Sequence, residues 1–436
     1  MRYIVDLHIH SKFSRACSRN LTLSNLAAWA RIKGIDILGT SDFTHPAWRA
    51  EIGEKLEEAE QGLFRLKPQY QNEDGDSAYT PAPETKNKRE VRFMLSTEVS
   101  CIYKKNGKTR RLHLLVFMPT IKAVDTFNSA LTTLGCNIRA DGRPILGLEA
   151  KEIVRIARDC DERAMVVPAH AWTPWFSVFG SESGFDSLEE CFEEQTPYIN
   201  AIETGLSSDP AMNHRLSKLD NITLISNSDA HGVRNLGREA NTIDRKEISY
   251  DNICATLNGK NKNNFLYTIE FFPEEGKYHV DGHRVCDFYC EPEDTEKKYK
   301  GICPKCHKPL TRGVAGRVHA LADRERKNIP TTMTPFKNIV PLEEVIGNVL
   351  GKTKSAKASQ QVYFDALKKI GPEFTILIDA EIEEISSKTS QKLAEAIYKM
   401  RTGNIYIKPG YDGVYGVVKI FEPQATPTKK QIALEL

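Results

Sequence analysis

The chain has 436 residues, 27% of them charged, and a formal net charge of +2. It is long enough for a large core and for more than one domain. Its overall charge does not indicate a nucleic-acid partner, although basic residues outnumber acidic ones after residue 300. No apolar run approaches the ~20 residues that span a bilayer, we expect no signal peptide, and most of the ten cysteines are scattered. These features predict a cytoplasmic protein without a disulfide framework.

Short apolar stretches alternate with helical patterns in the first half of the chain. The stretches predict strands at 2–8, 35–42, 91–99, 112–118, 164–170, 199–205 and 222–231. Helical patterns lie between several of them, for example at 21–34 and 148–160. This alternation predicts a parallel sheet or barrel, and the continuous apolar character of the strands fits burial on both faces. The polar, proline-rich segment 67–90 predicts a surface insertion with weak order.

The pattern changes in the second half of the chain. Residues 265–284 predict two strands joined by a turn, and the last third is mostly helical, with a strand, a glycine-rich turn and a strand at 404–421. We therefore divide the chain into three domains. They are a barrel (1–264), a module with four cysteines (265–330) and a mainly helical C-terminal domain (331–436).

Side chains that can bind metals fall at the ends of the predicted strands. His8 and His10 are spaced i, i+2, so both imidazoles point to one face of a strand. The same positions on later strands carry Asp42 (with His45 three residues on), Glu98, His170, Asp229 and His231. Active sites of βα barrels form at the C-terminal ends of strands. The pattern therefore predicts a metal site rather than scattered, individually buried histidines.

His113 lies near the start of its predicted strand and needs a different explanation. Asn106-Gly107 is a strong signal for a two-residue hairpin turn. If it forms, residue 98 faces residue 115, and His113 becomes the same-face diagonal neighbour of Glu98 at roughly 7–8 Å. A metal ion can bridge that gap.

The mixture of imidazole and carboxylate ligands suits zinc, manganese or iron. The ligands exceed what one ion can use, so we expect two or three divalent cations (zinc, manganese or magnesium) in the barrel. Sites with ions ~3.5–4 Å apart typically hydrolyse phosphate esters.

Four cysteines predict a second, structural metal site. Cys303 and Cys306 form a tight Cys-Pro-Lys-Cys knuckle, and Cys286 and Cys290 are spaced by three residues. Four thiolates in two close pairs predict a closed tetrahedral zinc site, with buried free thiols as the alternative. Such a zinc ion would hold together a module that has little core of its own.

Two further sets of side chains are candidates for DNA contacts. Arg312 and Arg317 belong to a basic stretch that could neutralise phosphates, although a solvated surface helix explains the charge equally well. Trp172 and Trp175 follow His170 and could stack on a base, or they could pack as core under a loop.

The metal-ligand motifs resemble those of a known superfamily. They are His8-Ile-His10, Ser41-Asp42, Glu98, His113, His170 and Ser228-Asp229-Ala230-His231, in this order on alternating strands and helices. They resemble the PHP (polymerase and histidinol phosphatase) superfamily. The resemblance implies an α/β fold with a distorted seven-stranded, TIM-like βα barrel, which agrees with the number of predicted strands.

The resemblance also implies how the ligands are shared. The first metal would be held by His8, His10, Glu98 and Asp229. Glu98 would bridge to a second metal held by His113 and His170. The usual ligands of a third metal are missing after His10 and Asp42, because Phe43 follows Asp42. The candidates for a third site are Asp42, His45 and His231.

The domain order and several stretches are similar to the endonuclease Q branch of this superfamily. The stretches are GTSDFTHPAW, PAHAWTPW, GHRVC…CPKC and PGYDGVYG. The resemblance implies a hydrolase of DNA repair that cuts the phosphodiester 5′ to a deaminated base (hypoxanthine, uracil or xanthine) or an abasic site. It implies damaged double- or single-stranded DNA as partner, a nucleoid-associated location and no membrane contact, and it leaves a sliding-clamp partner open.

Two other functions use similar parts. A small-molecule phosphoesterase of the histidinol-phosphatase type has the same barrel but does not need a zinc module or a basic last third. A non-catalytic nucleic-acid-binding accessory protein would have no reason to keep so many ligands. Asp229 is the catalytic candidate, because it can position the attacking water and accept its proton.

Overall fold

The computed structural model describes residues 1–71, 90–330 and 333–422. Most of the insertion predicted at 67–90 lies outside these described residues. None of the described helices is both long and apolar enough to cross a bilayer.

The strands of the described residues are numbered in chain order. They are β1 Arg2–Asp6, β2 Ile37–Gly39, β3 Leu56–Glu60, β4 Leu63–Leu66, β5 Arg92–Met94, β6 Ser96–Lys105, β7 Lys108–Phe117, β8 Ile145–Leu146, β9 Met165–Pro168, β10 Ala201–Glu203, β11 Thr223–Ile225, β12 Ala240–Asp244, β13 Phe265–Glu270, β14 Asp281–His283, β15 Phe288–Cys290, β16 Phe336–Asn338, β17 Tyr406–Lys408 and β18 Val417–Lys419.

The α-helices are numbered in the same way. They are α1 Leu23–Lys33, α2 Pro46–Lys55, α3 Ile121–Thr133, α4 Ala150–Cys160, α5 Leu188–Phe192, α6 Pro210–Asn213, α7 Tyr250–Leu257, α8 Pro292–Lys297, α9 Val314–Leu321, α10 Leu342–Leu350, α11 Lys357–Lys369, α12 Ile382–Lys388 and α13 Gln391–Arg401. The ends of α1 show why it forms where it does. The Thr22 hydroxyl caps its first turn, and Gly34 ends it with a left-handed φ of 87°.

The strands form a mixed α/β architecture. The largest sheet has the order β16-β13-β12-β1-β2-β5-β4-β3, a second has the order β8-β6-β7-β9, and β10 pairs with β11. Strand β1 is parallel to β2, β2 is parallel to β5, and β10 is parallel to β11. The predicted α/β class is confirmed, and each of the seven predicted strands overlaps at least one observed strand.

Regular ladders do not run continuously around a closed barrel in the described residues. Single contacts link the sheets instead. The Ala171 N–H donates to the Glu203 carbonyl at 2.9 Å, and an isolated bridge pairs Ile9 with Ala230 beyond the ends of β1 and β11. The closed seven-stranded barrel therefore stays a prediction.

One apolar cluster collects side chains from strands of all three sheets. Seven strands (β1, β2, β5, β7, β9, β10 and β11) contribute Val5, Ile37, Met94, Leu115, Val167, Ala201 and Ile225 to it. A second, larger cluster contains side chains of α1, α3 and α4 packed against the same strands. The strands are thus buried on both sides, which explains their unbroken apolar sequences.

The later modules are joined closely to the first domain. Strand β13 pairs with β12 and with β16, so the large sheet continues past the domain boundary predicted at residue 264. The loop between β17 and β18 packs on the zinc-module side, where Gly410 N–H donates to the Glu274 carbonyl at 2.8 Å and Gly416 N–H donates to the Glu275 carbonyl at 3.1 Å. Helices α10–α13 form the mainly helical part that the sequence predicts.

A buried ion pair connects the C-terminal helices to α1. Lys33 Nζ lies 2.7 Å from Glu373 Oε2, and both side chains are less than 5% exposed. The same carboxylate accepts hydrogen bonds from the Tyr363 hydroxyl at 2.6 Å and from the Leu342 N–H at 3.1 Å.

We expect the substitution Glu373→Ala to destabilise the protein strongly, because it leaves the Lys33 ammonium buried without its partner. Breaking one side of a buried ion pair costs roughly 3–5 kcal/mol. Thermal denaturation followed by circular dichroism measures the change. Glu325→Ala, which removes an exposed ion pair with Lys327, is the control and should leave Tm unchanged. Equal Tm values for the two variants would contradict the role given to Glu373.

Candidate metal centre

The first two histidines lie just beyond the end of β1. Both are buried, with 1% exposure for His8 and none for His10. Hydrogen bonding from His10 N–H to the Ala230 carbonyl at 3.1 Å fixes this segment against the end of β11. One ligand atom of each of His8, His10 and Glu98 lies within 4.8 Å of the others.

The hairpin of β6 and β7 brings Glu98 to His113. Lys105 pairs with Lys108 across the Asn106-Gly107 turn, and Glu98 pairs with Leu115, which is the predicted register. Glu98 Oε1 lies 2.7 Å from His113 Nδ1 and 3.2 Å from His170 Nε2. These three side chains form a second candidate group of ligands.

Asp229 joins the first group from the end of β11. Its Oδ1 lies 3.0 Å from His10 Nε2 and 3.6 Å from His8 Nε2. Its backbone has a left-handed φ of 46°, which is uncommon for a residue other than glycine and typical of functional sites. His231 follows, and a third candidate group combines His10, Asp229 and His231.

The electrostatics of the centre favour bound cations. Burial opposes ionisation of Glu98, yet the neighbouring His113 and His8 hold its pKa well below the ordinary value. Burial likewise opposes ionisation of Asp229, but His8 and His10 lower its pKa. Although burial lowers the pKa of His10, hydrogen bonds with Asp229 and Asp42 raise it to about 9. The buried carboxylates thus require positive charge close by.

The donor set fits divalent cations. Imidazole nitrogens and carboxylate oxygens converge in three overlapping groups, as zinc, manganese and iron sites require. The Nε2 atom of His8 is buried without a hydrogen-bond partner in the described residues, so its lone pair is available to a metal.

Two buried carboxylates contact the Nδ1 atoms of His8 and His10. Glu203 lies 3.0 Å from His8 Nδ1, and it accepts the His170 N–H at 2.7 Å. Asp42 lies 3.4 Å from His10 Nδ1. Carboxylates in this position fix the tautomer and the orientation of metal-binding imidazoles. Sequence reasoning missed Glu203, although its place at the end of β10 follows the same strand-end pattern.

The structure corrects the suggestion that Asp42 and His45 hold a third metal. The Asp42 oxygens are occupied by the hydroxyls of Ser11, Ser14 and Ser41 at 2.6–2.7 Å. The side chain is completely buried behind His10. His45 stacks on Phe13 with ring centroids 4.4 Å apart. Neither belongs to a candidate ligand group of the described residues.

Arg143 is a second functional candidate that the sequence did not reveal. Its Nη1 atom lies 3.2 Å from Glu98 Oε2, and its side chain is 25% exposed. The preceding Gly142 makes this approach possible, because a Cβ atom there would lie 2.3 Å from Asp42 Oδ2. A guanidinium group at the rim of a metal centre is suited to bind a phosphate.

The predicted zinc site changes one ligand. The four groups that converge are His283, Cys286, Cys303 and Cys306. Cys290 lies opposite Asp281 in the β14–β15 hairpin, whereas Phe288 lies opposite His283. Cys290 is therefore two residues, or roughly 7 Å, away from His283 along the hairpin. Its Sγ atom lies 3.2 Å from the Thr295 hydroxyl. His283 thus takes the place predicted for Cys290.

The chemistry of this second group suits zinc. Burial raises the pKa of the Cys303 thiol, but the N–H groups of Lys305 and Cys306 outweigh it and bring the pKa to about 6. A thiolate is the form that binds zinc. One histidine and three thiolates are a common structural zinc set.

The four predicted DNA contacts separate into two pairs. Trp172 is 1% exposed and donates to Asn213 Oδ1 at 2.7 Å, so it is core. Arg317 donates to the carbonyls of Phe179 and Phe185, so it ties α9 to the first domain rather than meeting a ligand. For these two side chains the contacts within the protein favour the alternative without DNA contact, because burial differs between chemically equivalent side chains. Trp175 is 41% exposed, and the Arg312 side chain is 46% exposed.

Comparisons of sequence place the chain among proteins of archaea and bacteria. The family described as the MJ0043 C-terminal domain matches residues 341–404. Protein MJ0043 of Methanocaldococcus jannaschii is 36% identical over 262 residues, which are 58% of this chain and 32% of that protein. The chain thus spans about a third of that relative. Protein YqxK of Bacillus subtilis is 29% identical over 425 residues, 95% of this chain and 98% of that protein.

Two solved structures are similar over nearly the whole chain. The lesion-specific endonuclease PfuEndoQ from Pyrococcus furiosus has a TM-score of 0.82, with 30% identity over 98% of each chain. Endonuclease Q in complex with a 27-mer duplex that has an abasic lesion at the active site has a TM-score of 0.80, with 31% identity over 97% of each chain. The converging side chains are candidate ligands of divalent cations, and both similar structures are endonucleases. The chain belongs to the endonuclease Q family, as its PHP-type motifs predict.

We expect Glu203→Gln to weaken metal binding at the first group about 10–100-fold, because the loss of such a supporting carboxylate frees the imidazole that it orients. Competition with a fluorescent zinc chelator measures the affinity. Glu194→Gln, an exposed carboxylate, is the control. Unchanged zinc affinity in a folded Glu203→Gln variant would refute the role assigned to this carboxylate.

The two alternative ligand sets of the zinc module, one with His283 and one with Cys290, can be distinguished by substitution. We expect His283→Ala to lose the zinc ion of this module and Cys290→Ser to keep it, because only His283 lies with the three converging thiols. Zinc per chain, counted by elemental analysis, gives the result. Since the first candidate metal centre would also contribute metal, each value is compared with that of the wild type. Loss of zinc from Cys290→Ser alone would restore the four-cysteine set.

Proposed function

We propose that this protein is a metal-dependent DNA endonuclease of DNA repair. It hydrolyses the phosphodiester 5′ to a deaminated base (hypoxanthine, uracil or xanthine) or an abasic site. The observation that carries the proposal is the full-length likeness to endonuclease Q, including a form bound to duplex DNA with an abasic lesion. A small-molecule phosphoesterase would need only the first domain, whereas here the zinc module and the C-terminal helices match as well.

The ligand assignment follows the three candidate groups. His8, His10, Glu98 and Asp229 would hold one divalent cation, and Glu98 would bridge to another held by His113 and His170. His231 is the remaining candidate ligand, and it lies close to His10 and Asp229. Divalent cations at such sites lower the pKa of water and stabilise the attacking and leaving oxygens of a phosphodiester.

The side chains around the ligands have separate tasks. Asp229 is held as a carboxylate, so it can position the attacking water and accept its proton. Arg143 is placed to bind a non-bridging oxygen of the scissile phosphate, and its ion pair with Glu98 keeps the guanidinium aimed at the centre. Glu203 and Asp42 keep His8 and His10 in one orientation. The centre is therefore preorganised before DNA binds.

The burial of the metal ligands supports selectivity for damaged sites. Its ligands are mostly buried, so a phosphodiester in a regular duplex cannot reach them without distortion. A mispaired deaminated base, or a site without a base, costs less to extrude than a paired base. The energetic difference between damaged and intact DNA thus contributes to specificity.

We expect Asp229→Ala to abolish incision while the protein stays folded. The assay uses an end-labelled duplex with one deoxyuridine, deoxyinosine or abasic site and an undamaged control duplex, with Mg²⁺, Mn²⁺ or Zn²⁺ added. The wild type should give a single cut 5′ to the lesion and none in the control duplex. Removal of metal with a chelator should stop cleavage, and metal addition should restore it.

Asp159→Ala is the matched control, since that aspartate is exposed and pairs only with Arg155 on the surface of α4. It should cut at the wild-type rate. Incision by a folded Asp229→Ala variant at the wild-type rate would refute the assignment of the centre. Absence of incision on every lesion with metal-loaded wild-type protein would refute the proposed function.

A further inference from the structure

Exposed apolar side chains form a ridge beside the metal centre. Val285 in the zinc module is 82% exposed, and Tyr415 in the β17–β18 loop is 68% exposed. Val414 and Trp175 are exposed by 39% and 41%. Single exposed apolar side chains are ordinary on protein surfaces, but a cluster beside a functional site indicates a binding surface. We call Trp175, Tyr278, Val285, Val414 and Tyr415 the aromatic ridge.

One end of the aromatic ridge is attached to the metal centre. The Thr173 hydroxyl lies 3.2 Å from Nδ1 of His170 and donates to the Trp175 carbonyl at 2.8 Å. The Trp175 ring packs edge-on against Tyr278, with ring centroids 5.6 Å apart. The ridge therefore begins within a few residues of a candidate metal ligand.

The rest of the aromatic ridge continues across the chain's two later modules. Gly413 N–H donates to the Lys277 carbonyl at 2.9 Å, and a side chain at 413 would come within 3.6 Å of the Tyr278 hydroxyl and 3.4 Å of Arg284 Nη1. The Arg284 N–H donates to Asp412 at 2.7 Å. These contacts join the segment that directly precedes Val414 and Tyr415 to Arg284, the neighbour of Val285 in the chain.

Basic side chains lie along the aromatic ridge. Lys277 Nζ is 4.5 Å from the centre of the Tyr415 ring, and Arg284 is exposed next to Val285. The nearby carboxylate of Asp412 is occupied by the Arg284 N–H and the Thr311 hydroxyl. The surface is therefore apolar with cationic edges, which suits a duplex with stacked bases inside and phosphates outside.

We propose that the aromatic ridge is the wedge that opens the duplex at a lesion, a role that rests on the proposed function. Val285 and Tyr415 enter the base stack next to the damaged nucleotide, and Lys277 and Arg284 bind the flanking phosphates. Proteins that kink DNA commonly insert apolar side chains between base steps and partly unstack them. The backbone bonds from Gly410, Gly413 and Gly416 to residues 274–277 join the β17–β18 part of this wedge to the zinc module.

The double substitution Val285→Ser with Tyr415→Ser tests the wedge. Two substrates carry the same deoxyuridine, one fully paired and one with mismatched pairs on both sides of the lesion. If the ridge opens the duplex, the variant should cut the paired substrate at least tenfold more slowly than the wild type. It should cut the opened substrate at the wild-type rate. Leu134→Ser with Tyr398→Ser, two exposed apolar side chains elsewhere, should change neither rate.

Unstacking is measured separately from cleavage. A 2-aminopurine beside the lesion should become brighter when wild-type protein binds in the presence of a chelator, and it should stay quenched with the double variant at saturating protein. Any one of three results would overturn the wedge. They are equal cleavage rates of wild type and variant on both substrates, an equal loss of cleavage rate on both substrates, and full 2-aminopurine brightening with the variant. Failure of the wild type to cut either substrate would count instead against the proposed function.

Discussion

The buried carboxylate of Glu98 is the constraint on which the centre depends. Its side chain is 1% exposed and lies within 3.5 Å of nitrogen atoms of His8, His10, His113, His170 and Arg143. A buried carboxylate is costly unless positive charge and hydrogen bonds compensate it. The fold meets this requirement by bringing the segments that follow β1 and β9 next to the paired strands β6 and β7, which present Glu98 and His113.

The carboxylates of Asp42 and Glu203, which contact the metal-ligand histidines, are themselves held by hydrogen bonds. Asp42 accepts hydroxyl hydrogen bonds from three serines, and Glu203 accepts the Asn227 amide at 2.9 Å. The imidazoles of His8 and His10 are thus oriented by carboxylates that are themselves fixed. Such a site holds its geometry without a substrate, and the binding energy of DNA can be used to distort the duplex rather than to assemble the ligands.

Local patterns predicted the parts of the site that depend on local geometry. The i, i+2 spacing of His8 and His10 and the Asn106-Gly107 turn gave the correct faces and the correct β6–β7 register. The exchange of Cys290 for His283 could not be predicted, because it depends on how far β14 and β15 extend. Tertiary burial likewise separates Trp172 from Trp175, and Arg143 has no motif, since a single glycine at 142 allows its approach.

The later modules contact the first domain beside the metal centre. The Trp175 ring, five residues after His170, packs against Tyr278 with ring centroids 5.6 Å apart. The zinc module and the β17–β18 loop are joined to each other through backbone hydrogen bonds at residues 274–280 and to the first domain through β13 in the large sheet. Under the proposed function, a duplex bound to these joined modules would approach the ligands from the side of Trp175 and Tyr278. That approach would set which phosphodiester beside a lesion reaches the centre.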